Sequence, residues 1–303
     1  MDPKFLTQLA VIVELGSVSK AARKLNVTQP TLSRSVRIIE DRVGSKVLHR
    51  ERYGVSPTEI GRRLAEEGRA ILRRSEQARG VIEEWRHGLS GELRVGVGPM
   101  LATTILCDFF AQQAEDAPSY SLKLHCEVAS GLARALSDGN LDMALFPYDL
   151  NRFDDHLLRQ EIYQDRLQVF VAATDPLVGQ RAVPPPALAE HHWIAISETS
   201  GLFEINSEML NRMGLPHMVP RLENTGDVVM TFRILETTKS YSLLPGRTVS
   251  SFAGRYGIAP IDLDETLPER NIGLWTRRDT NGRPEVVDFT KRLIQFLEKK
   301  GLR

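Results

Sequence analysis

Between Ser17 and Arg34 lie the side chains best suited to reading a hydrogen-bonding surface. Two short helical patterns are joined there by one tight turn. Ser17 caps the first and Ala21, Ala22 and Leu25 face inward, the small alanines allowing a second helix to cross closely. Asn26 breaks the period. Thr28 caps the second helix, whose first turn tolerates Pro30 because the missing N–H has no intrahelical partner in any case. Leu32, Val36 and Ile39 keep the inward period and leave Gln29, Thr31, Ser33, Arg34 and Arg37 outside. The chemistry on offer is donor and acceptor pairing with base edges in a DNA major groove, made by the first turns of a second helix.

Other chemistry finds less support. Gly96-Val97-Gly98 follows a strand pattern, as in a dinucleotide-binding loop, but the third glycine is missing. His191 and His192 point to opposite sides of a strand, so a shared metal is not expected, and no thiol pair has metal-ligand spacing. Cys107, beside Leu106 and Phe110 on a helix face, and Cys126, inside a strand, read as small buried hydrophobes rather than as a redox sensor. No nucleophile, base and orienter assemble from local motifs, so the expectation is a non-enzyme without metal or cofactor.

The elements that hold the reading helix are legible on both sides of it. Phe5, Leu6, Leu9 and Val13 recur at helical spacing up to Gly16, a C-terminal stop for a preceding helix. After Gly44, residues 46–58 read as two short extended pieces joined at Tyr53-Gly54, a wing whose His49, Arg50 and Arg52 reach phosphates or a minor groove. From Thr58 to His87 runs one long helical pattern whose apolar stripe, from Ile60, Leu64 and Ala65 to Val81, Ile82 and Trp85, cannot be buried by the helix alone. Residues 88–91 form a hinge-like break. Strand patterns at 93–97, 121–128, 141–146, 167–171, 192–196, 221–222, 241–244 and 271–276 then alternate with helical ones after Gly98-Pro99 and at 132–136, 202–213, 228–236 and 286–299. Such alternation predicts an α/β fold with a parallel sheet and crossover helices.

The chain has 303 residues and zero net charge, but the charge is divided. Residues 1–90 hold 17 Lys or Arg against 11 Asp or Glu, and the remainder hold 22 against 28. A basic head on an acidic body suits a DNA-binding module joined to one that must not stick to DNA. Two cysteines are too few for a disulfide framework, no signal-like segment opens the chain, and no apolar run approaches the roughly 20 residues of a bilayer span, so a cytoplasmic protein without a membrane partner is expected.

Taken together the front residues closely resemble the LysR-type transcriptional regulators. Phe5, Gly16-Ser17, Ala21-Ala22, Leu25, Gln29, Ser33, Ile39-Glu40, Gly44, Val47-Leu48, Arg50, Thr58 and Gly61 follow that family's order and spacing. Ile39, Leu48 and Pro57 stand where Leu, Phe and Leu are usual, and none of these departures removes a polar or charged reader. Weaker matches continue in the body at Gly139 to Ala144, Ala172 with Asp175-Pro176-Leu177, and Leu244-Pro245, whereas residues 235–240 replace a Gly-rich stretch common in the family.

The resemblance implies a winged helix-turn-helix over 1–58, a linker helix over 59–88 that pairs with its twin, and an effector-binding domain over 91–303. That domain would have two α/β lobes, as in periplasmic solute-binding proteins: lobe I over 91–164 and 266–303, lobe II over 165–265. The implied partners are double-stranded promoter DNA, a small-molecule effector, further copies in a dimer or tetramer, and RNA polymerase. Ser17, Thr28, Gln29, Pro30, Thr31, Ser33, Arg34, Arg37, Arg50 and Arg52 are the expected DNA-binding residues. A rival reading is a ligand-binding or enzymatic body whose basic head serves assembly only.

Ligands of open α/β sheets sit beyond the carboxyl ends of strands, near helix N-termini. The candidates are Pro99, Met100, Thr103, Thr104, Ser130, Phe146 and Tyr148 from the first lobe, and Ser197, Thr199, Ser200, Phe203, Asn224 and Thr225 from the second. Hydroxyls and helix N-termini would hold a carboxylate while Met100, Phe146 and Phe203 pack an apolar or aromatic body. Each Ser or Thr taken singly reads equally well as a helix cap. Pro147, not Arg, ends the third strand, so a monoacid or a neutral aromatic fits better than a clamped dicarboxylate.

Overall fold

The computed structural model of the 303-residue chain describes all residues except 53, 87–88, 149–155, 197–208 and 215–219, together with all side chains outside these except those of 77, 79, 81 and 83–85. It divides into two compact units, Met1–His87 and Gly88–Arg303.

In the first unit α1 (Pro3–Leu15) ends at Gly16, which adopts φ 59°. Ser17 Oγ accepts from Lys20 N at 3.3 Å and starts α2 (Val18–Lys24). Asn26 turns the chain at φ 51°, and Thr28 caps α3 (Gln29–Val43), which stops at Gly44. Strands β1 (Leu48–Glu51) and β2 (Gly54–Pro57) pair antiparallel as the wing, and α4 (Glu59–Arg86) follows, its first turn held by Gly61 N donating to Thr58 Oγ1 at 3.1 Å. Leu9, Ile12, Ala21, Leu32, Ile39, Val47 and Ala65 form the core. Of the apolar stripe on α4, Val81 and Trp85 lie outside the described side chains, and Ile82 is exposed.

Backbone contact fixes this unit as much as side-chain packing does. Val55 N donates to Gly16 O at 2.9 Å, tying the wing to the end of α1, and a Cβ on Gly54 would stand 2.3 Å from that same oxygen. Glu40 accepts from Val47 N at 3.2 Å and from Lys46 Nζ at 2.8 Å, which ties α3 to the entry of the wing. Gly68 lets α4 lie on α1, for a Cβ there would stand 2.0 Å from Leu6 O.

The second unit holds two five-stranded sheets. The first sheet has strands β3 (Glu92–Val97), β4 (Ser121–Cys126), β5 (Met143–Pro147), β6 (Leu157–Tyr163) and β12 (Ile272–Arg277), in the order β4-β3-β5-β12-β6. The second has β7 (Leu167–Ala172), β8 (His192–Ile196), β9 (Leu222–Asn224), β10 (Ser240–Pro245) and β11 (Ile258–Ile261), in the order β11-β7-β10-β8-β9. The helices are α5 (Pro99–Thr103), α6 (Ile105–Asp116), α7 (Ala129–Ser137), α8 (Val228–Thr237), α9 (Gly246–Ala253) and α10 (Pro284–Lys299). Most of the helix expected over 202–213 lies outside the described residues.

The α/β class and the winged head stand as read from the sequence. The expected all-parallel sheet does not: both sheets are mixed. β3 runs parallel to β4 and β5, but β12 is antiparallel to β5 and β6, and β7 is antiparallel to β10 and β11. β7 and β12 enter their sheets through extended connections from the other sheet, without the crossover helix that parallel pairing requires. Strands β6 and β11 and helix α9 were not anticipated. The two connections, after Tyr163 and after Ile261, are bridged to each other at Arg166 and Glu269.

Cys107 and Cys126 are both exposed, which corrects the expectation that they are buried. Cys107 lies on the solvent side of α6, where Leu106 and Phe109 take the inner face. Cys126 ends β4, an edge strand whose Leu124 and His125 are exposed too. Periodicity does not distinguish an edge strand from a central one. Partial burial of the sulfur, and Glu127 beside it, push the Cys126 thiol above its usual range. Among the described residues no single helix is long and apolar enough to cross a membrane.

Gly68→Ala weighs two effects. Helix propensity favours alanine by about 1 kcal/mol, but the methyl would meet Leu6 O, a backbone atom that cannot swing aside. The clash is expected to win, lowering stability by about 1–3 kcal/mol in urea unfolding of the full chain.

Candidate functional site

The outward face of α3 carries Gln29, Pro30, Thr31, Ser33, Arg34 and Arg37, all exposed, while Leu32, Ser35 and Ile39 are buried beneath them. Thr28 accepts from Thr31 N at 3.4 Å and its hydroxyl lies 2.8 Å from that of Thr31, so these two are engaged in starting the helix. Ser17 does the same for α2. Gln29 Oε1 accepts from Ser19 Oγ at 3.2 Å, which steadies the amide at the head of α3. Arg50 lies on β1 and Arg52 in the turn after it, both exposed. Among the described residues no carboxylate pairs with Arg34, Arg37 or Arg50. Such a surface can donate to base edges and phosphates at once.

The second unit contains a cavity of about 90 Å³ between its two sheets. Of the residues expected there, Pro99, Met100, Phe146 and Asn224 line it. Thr103, Thr104, Ser130, Tyr148 and Thr225 do not: Thr104 is fully buried and its hydroxyl is spent on Met100 O at 2.7 Å, while Ser130 and Thr225 are exposed. Ser197, Thr199, Ser200 and Phe203 lie outside the described residues. Phe146 is buried with Trp275 stacked on it, ring centroids 4.9 Å apart and planes within 5°, and Arg159 lies over both Trp275 and Tyr148.

Sequence reasoning missed Thr231, Thr248 and Arg270, which also line the cavity. Thr248 follows the Leu244-Pro245 motif by three residues and was within reach of that signal. Arg270 sits in an irregular connection without periodicity, and only the return of the chain to the first sheet brings it to the cleft.

Asp165, 2 % exposed, lies where the chain first crosses between the sheets. Its carboxylate accepts from Arg166 N at 2.7 Å, Arg247 N at 2.8 Å, Thr248 N at 2.8 Å and Thr248 Oγ1 at 2.6 Å, and so caps α9. The Tyr163 hydroxyl stands 2.6 Å from Thr248 Oγ1, and burial pushes its pKa well above the usual phenol value, with Asp165 adding to the rise. The hydroxyl stays protonated and available as a donor.

Asp175 Oδ2 and His191 Nε2 form a second buried pair at 2.7 Å, away from the cavity lining, while His191 Nδ1 is buried without a hydrogen-bond partner among the described residues.

The LysR substrate binding domain model matches residues 86–298, and the model described as bacterial regulatory helix-turn-helix protein, lysR family, matches residues 4–62. The chain is similar to the nitrogen assimilation regulatory protein nac of Escherichia coli, 32% identical over 146 residues, and spans about half of that relative (48% of each chain). It is similar over nearly its whole length to the HTH-type transcriptional regulator EstR of Acinetobacter baylyi, 24% identical over 310 residues covering 96% of this chain and 98% of that one. Full-length CbnR, solved in a complex with its target DNA, shares the fold with a TM-score of 0.68 at 17% identity, covering 99% of both chains.

Replacing Asp165 with Ala leaves three backbone N–H groups and a hydroxyl without their acceptor, and the full chain is expected to lose about 3 kcal/mol or more. The urea midpoint reads this, with the exposed Asp262→Ala as the surface control expected to change little.

Proposed function

The chain belongs to the LysR-type family of transcriptional regulators, and on that premise we propose that it binds an interrupted, partly palindromic promoter site in double-stranded DNA and is adjusted by a small molecule held between its two lobes. The observation that carries the DNA reading is the exposed polar N-terminal half of α3, with Arg34 and Arg37 unpaired by any described carboxylate. Gln29, Ser33 and Arg34 meet base edges, Arg37 holds phosphate, and Arg50 and Arg52 work the wing. Ser17, Thr28, Pro30 and Thr31 set the entry of the two helices into the groove.

Residues 1–58 are the DNA-binding head, 59–88 the linker helix through which two chains pair as a dimer or a dimer of dimers, and 91–303 the effector-binding domain. The exposed Ile82 on α4 supports the pairing. The effector is an organic acid or an aromatic compound, and its entry changes the angle between head pairs and so the bend in the DNA, a coupling between two separate sites. The protein acts in the cytoplasm with RNA polymerase as a partner and has no enzymatic activity.

Gln29→Ala is expected to lose sequence discrimination more than total affinity, whereas Arg34→Ala loses both, by about 1–3 kcal/mol for a bidentate contact. Competition binding with specific and scrambled duplexes measures this. An unchanged specificity ratio in the Gln29 variant removes that residue from the reading set. Weak binding without sequence preference by the wild-type chain favours the rival in which the basic head serves assembly alone.

A further inference from the structure

The exposed face of α3 is not held evenly along its length. Among the described residues Ser33, Arg34 and Arg37 make no side-chain hydrogen bond or ion pair, so each meets a partner with its rotamers still open. Gln29 is constrained on three counts. Thr28, just before it, caps the helix. Pro30, just after it, has a fixed φ and crowds the preceding residue, which narrows the backbone of Gln29. From α2, Ser19 Oγ donates to Gln29 Oε1 at 3.2 Å and ties the side chain itself.

The hydroxyl of Ser19 is not spent on the fold. Ser17 already caps α2, its Oγ accepting from Lys20 N at 3.3 Å, and Ser19 is exposed, outside the core that Ala21, Ala22 and Leu32 form. The bond to Gln29 uses one lone pair of Oε1 and leaves the second, with both Nε2 hydrogens, for a base edge. Glutamine is among the side chains that lose most rotamer freedom when fixed. An amide placed in advance gives up less of that freedom when DNA arrives. It is also less able to turn toward the different donor and acceptor pattern of a wrong base.

We propose that Ser19 is a positioning residue for Gln29: it sets the amide before DNA binds and so sharpens discrimination at the base pair Gln29 meets, without a base contact of its own. This rests on the DNA reading above and adds to the reading face a residue that acts through another.

The test starts with selection by the full wild-type chain from a pool of duplexes with a randomised core. The selected duplex is then competed against its single-base variants for wild type, Ser19→Ala, Ser19→Thr, Gln29→Ala and the double variant Ser19→Ala with Gln29→Ala. Ser19→Ala is expected to weaken discrimination about three- to tenfold at the base pairs that Gln29→Ala relaxes, and to leave the other positions unchanged. Ser19→Thr keeps the hydroxyl and should restore the wild-type ratio. In the Gln29→Ala background the loss of the hydroxyl should change nothing, because no amide is left to hold. Both residues are exposed, so the urea midpoints of all variants should match the wild type. Unaltered discrimination in Ser19→Ala, or a threonine variant no better than the alanine one, overturns the proposal. So does a uniform loss across all duplexes or an equal loss with and without Gln29, either of which makes Ser19 a DNA contact in its own right, and so does a lowered urea midpoint, which makes its role structural. If Gln29→Ala relaxes no base pair, the assignment of Gln29 fails first, and if the wild-type chain enriches no sequence, the DNA reading itself fails.

Discussion

A buried carboxylate holds the two-sheet unit at its turning point. Asp165 stands in the three-residue connection between β6 and β7, and its oxygens take four donors, three of them at the start of α9. A charge with so little exposure is tolerated only because donors surround it. The same group therefore does two jobs: it fixes where the chain leaves the first sheet, and it terminates a helix at the cavity wall. Thr248 lies between it and Tyr163, so the hydrogen-bond chain runs from the crossing to the lining of the cleft. Asp142 plays a comparable part at the other end of the first sheet, where Arg94 grips it with two nitrogens and Arg283 reaches it from the start of α10.

The helix-turn-helix unit is organised by close backbone approach instead of buried charge. Gly54 and Gly68 bring carbonyl oxygens within a distance that no Cβ tolerates, one at the wing and one between α1 and α4. Side chains such as Leu32 and Ile39 then fill the interior, which leaves the start of α3 exposed, tied only by its own cap and by the Ser19–Gln29 hydrogen bond. Exposure, with few internal contacts, is what makes that face available to a partner. In the cleft Asn224, Thr231 and Thr248 are already bonded within the protein, and most of the described side chains beside them are apolar.

The division of charge along the chain fits both arrangements. A basic head draws a polyanion without needing a preformed pocket. An acidic body repels the same polyanion.

The head was legible in the sequence because its determinants are local. Ser17 and Thr28 as caps, Pro30 in a first turn, and Gly16 and Gly44 as stops each act within four residues, and the spacing of Leu32 and Ile39 fixes which face of α3 is left outside. The succession of strands and helices in the body was legible for the same reason. Tertiary structure alone decided the rest. Strand direction depended on how the chain enters each sheet, so parallel order was wrongly expected for β7 and β12. Burial of Cys107 and Cys126 was misjudged because one helix face and one sheet edge are left uncovered by elements far away in sequence. Arg270, Thr231 and Thr248 reach the cavity only through long-range crossings, and Thr104, sited correctly after a strand, spends its hydroxyl on its own helix. Sequence fixes what a side chain can offer, but whether the offer is still open depends on which distant atom has already taken it.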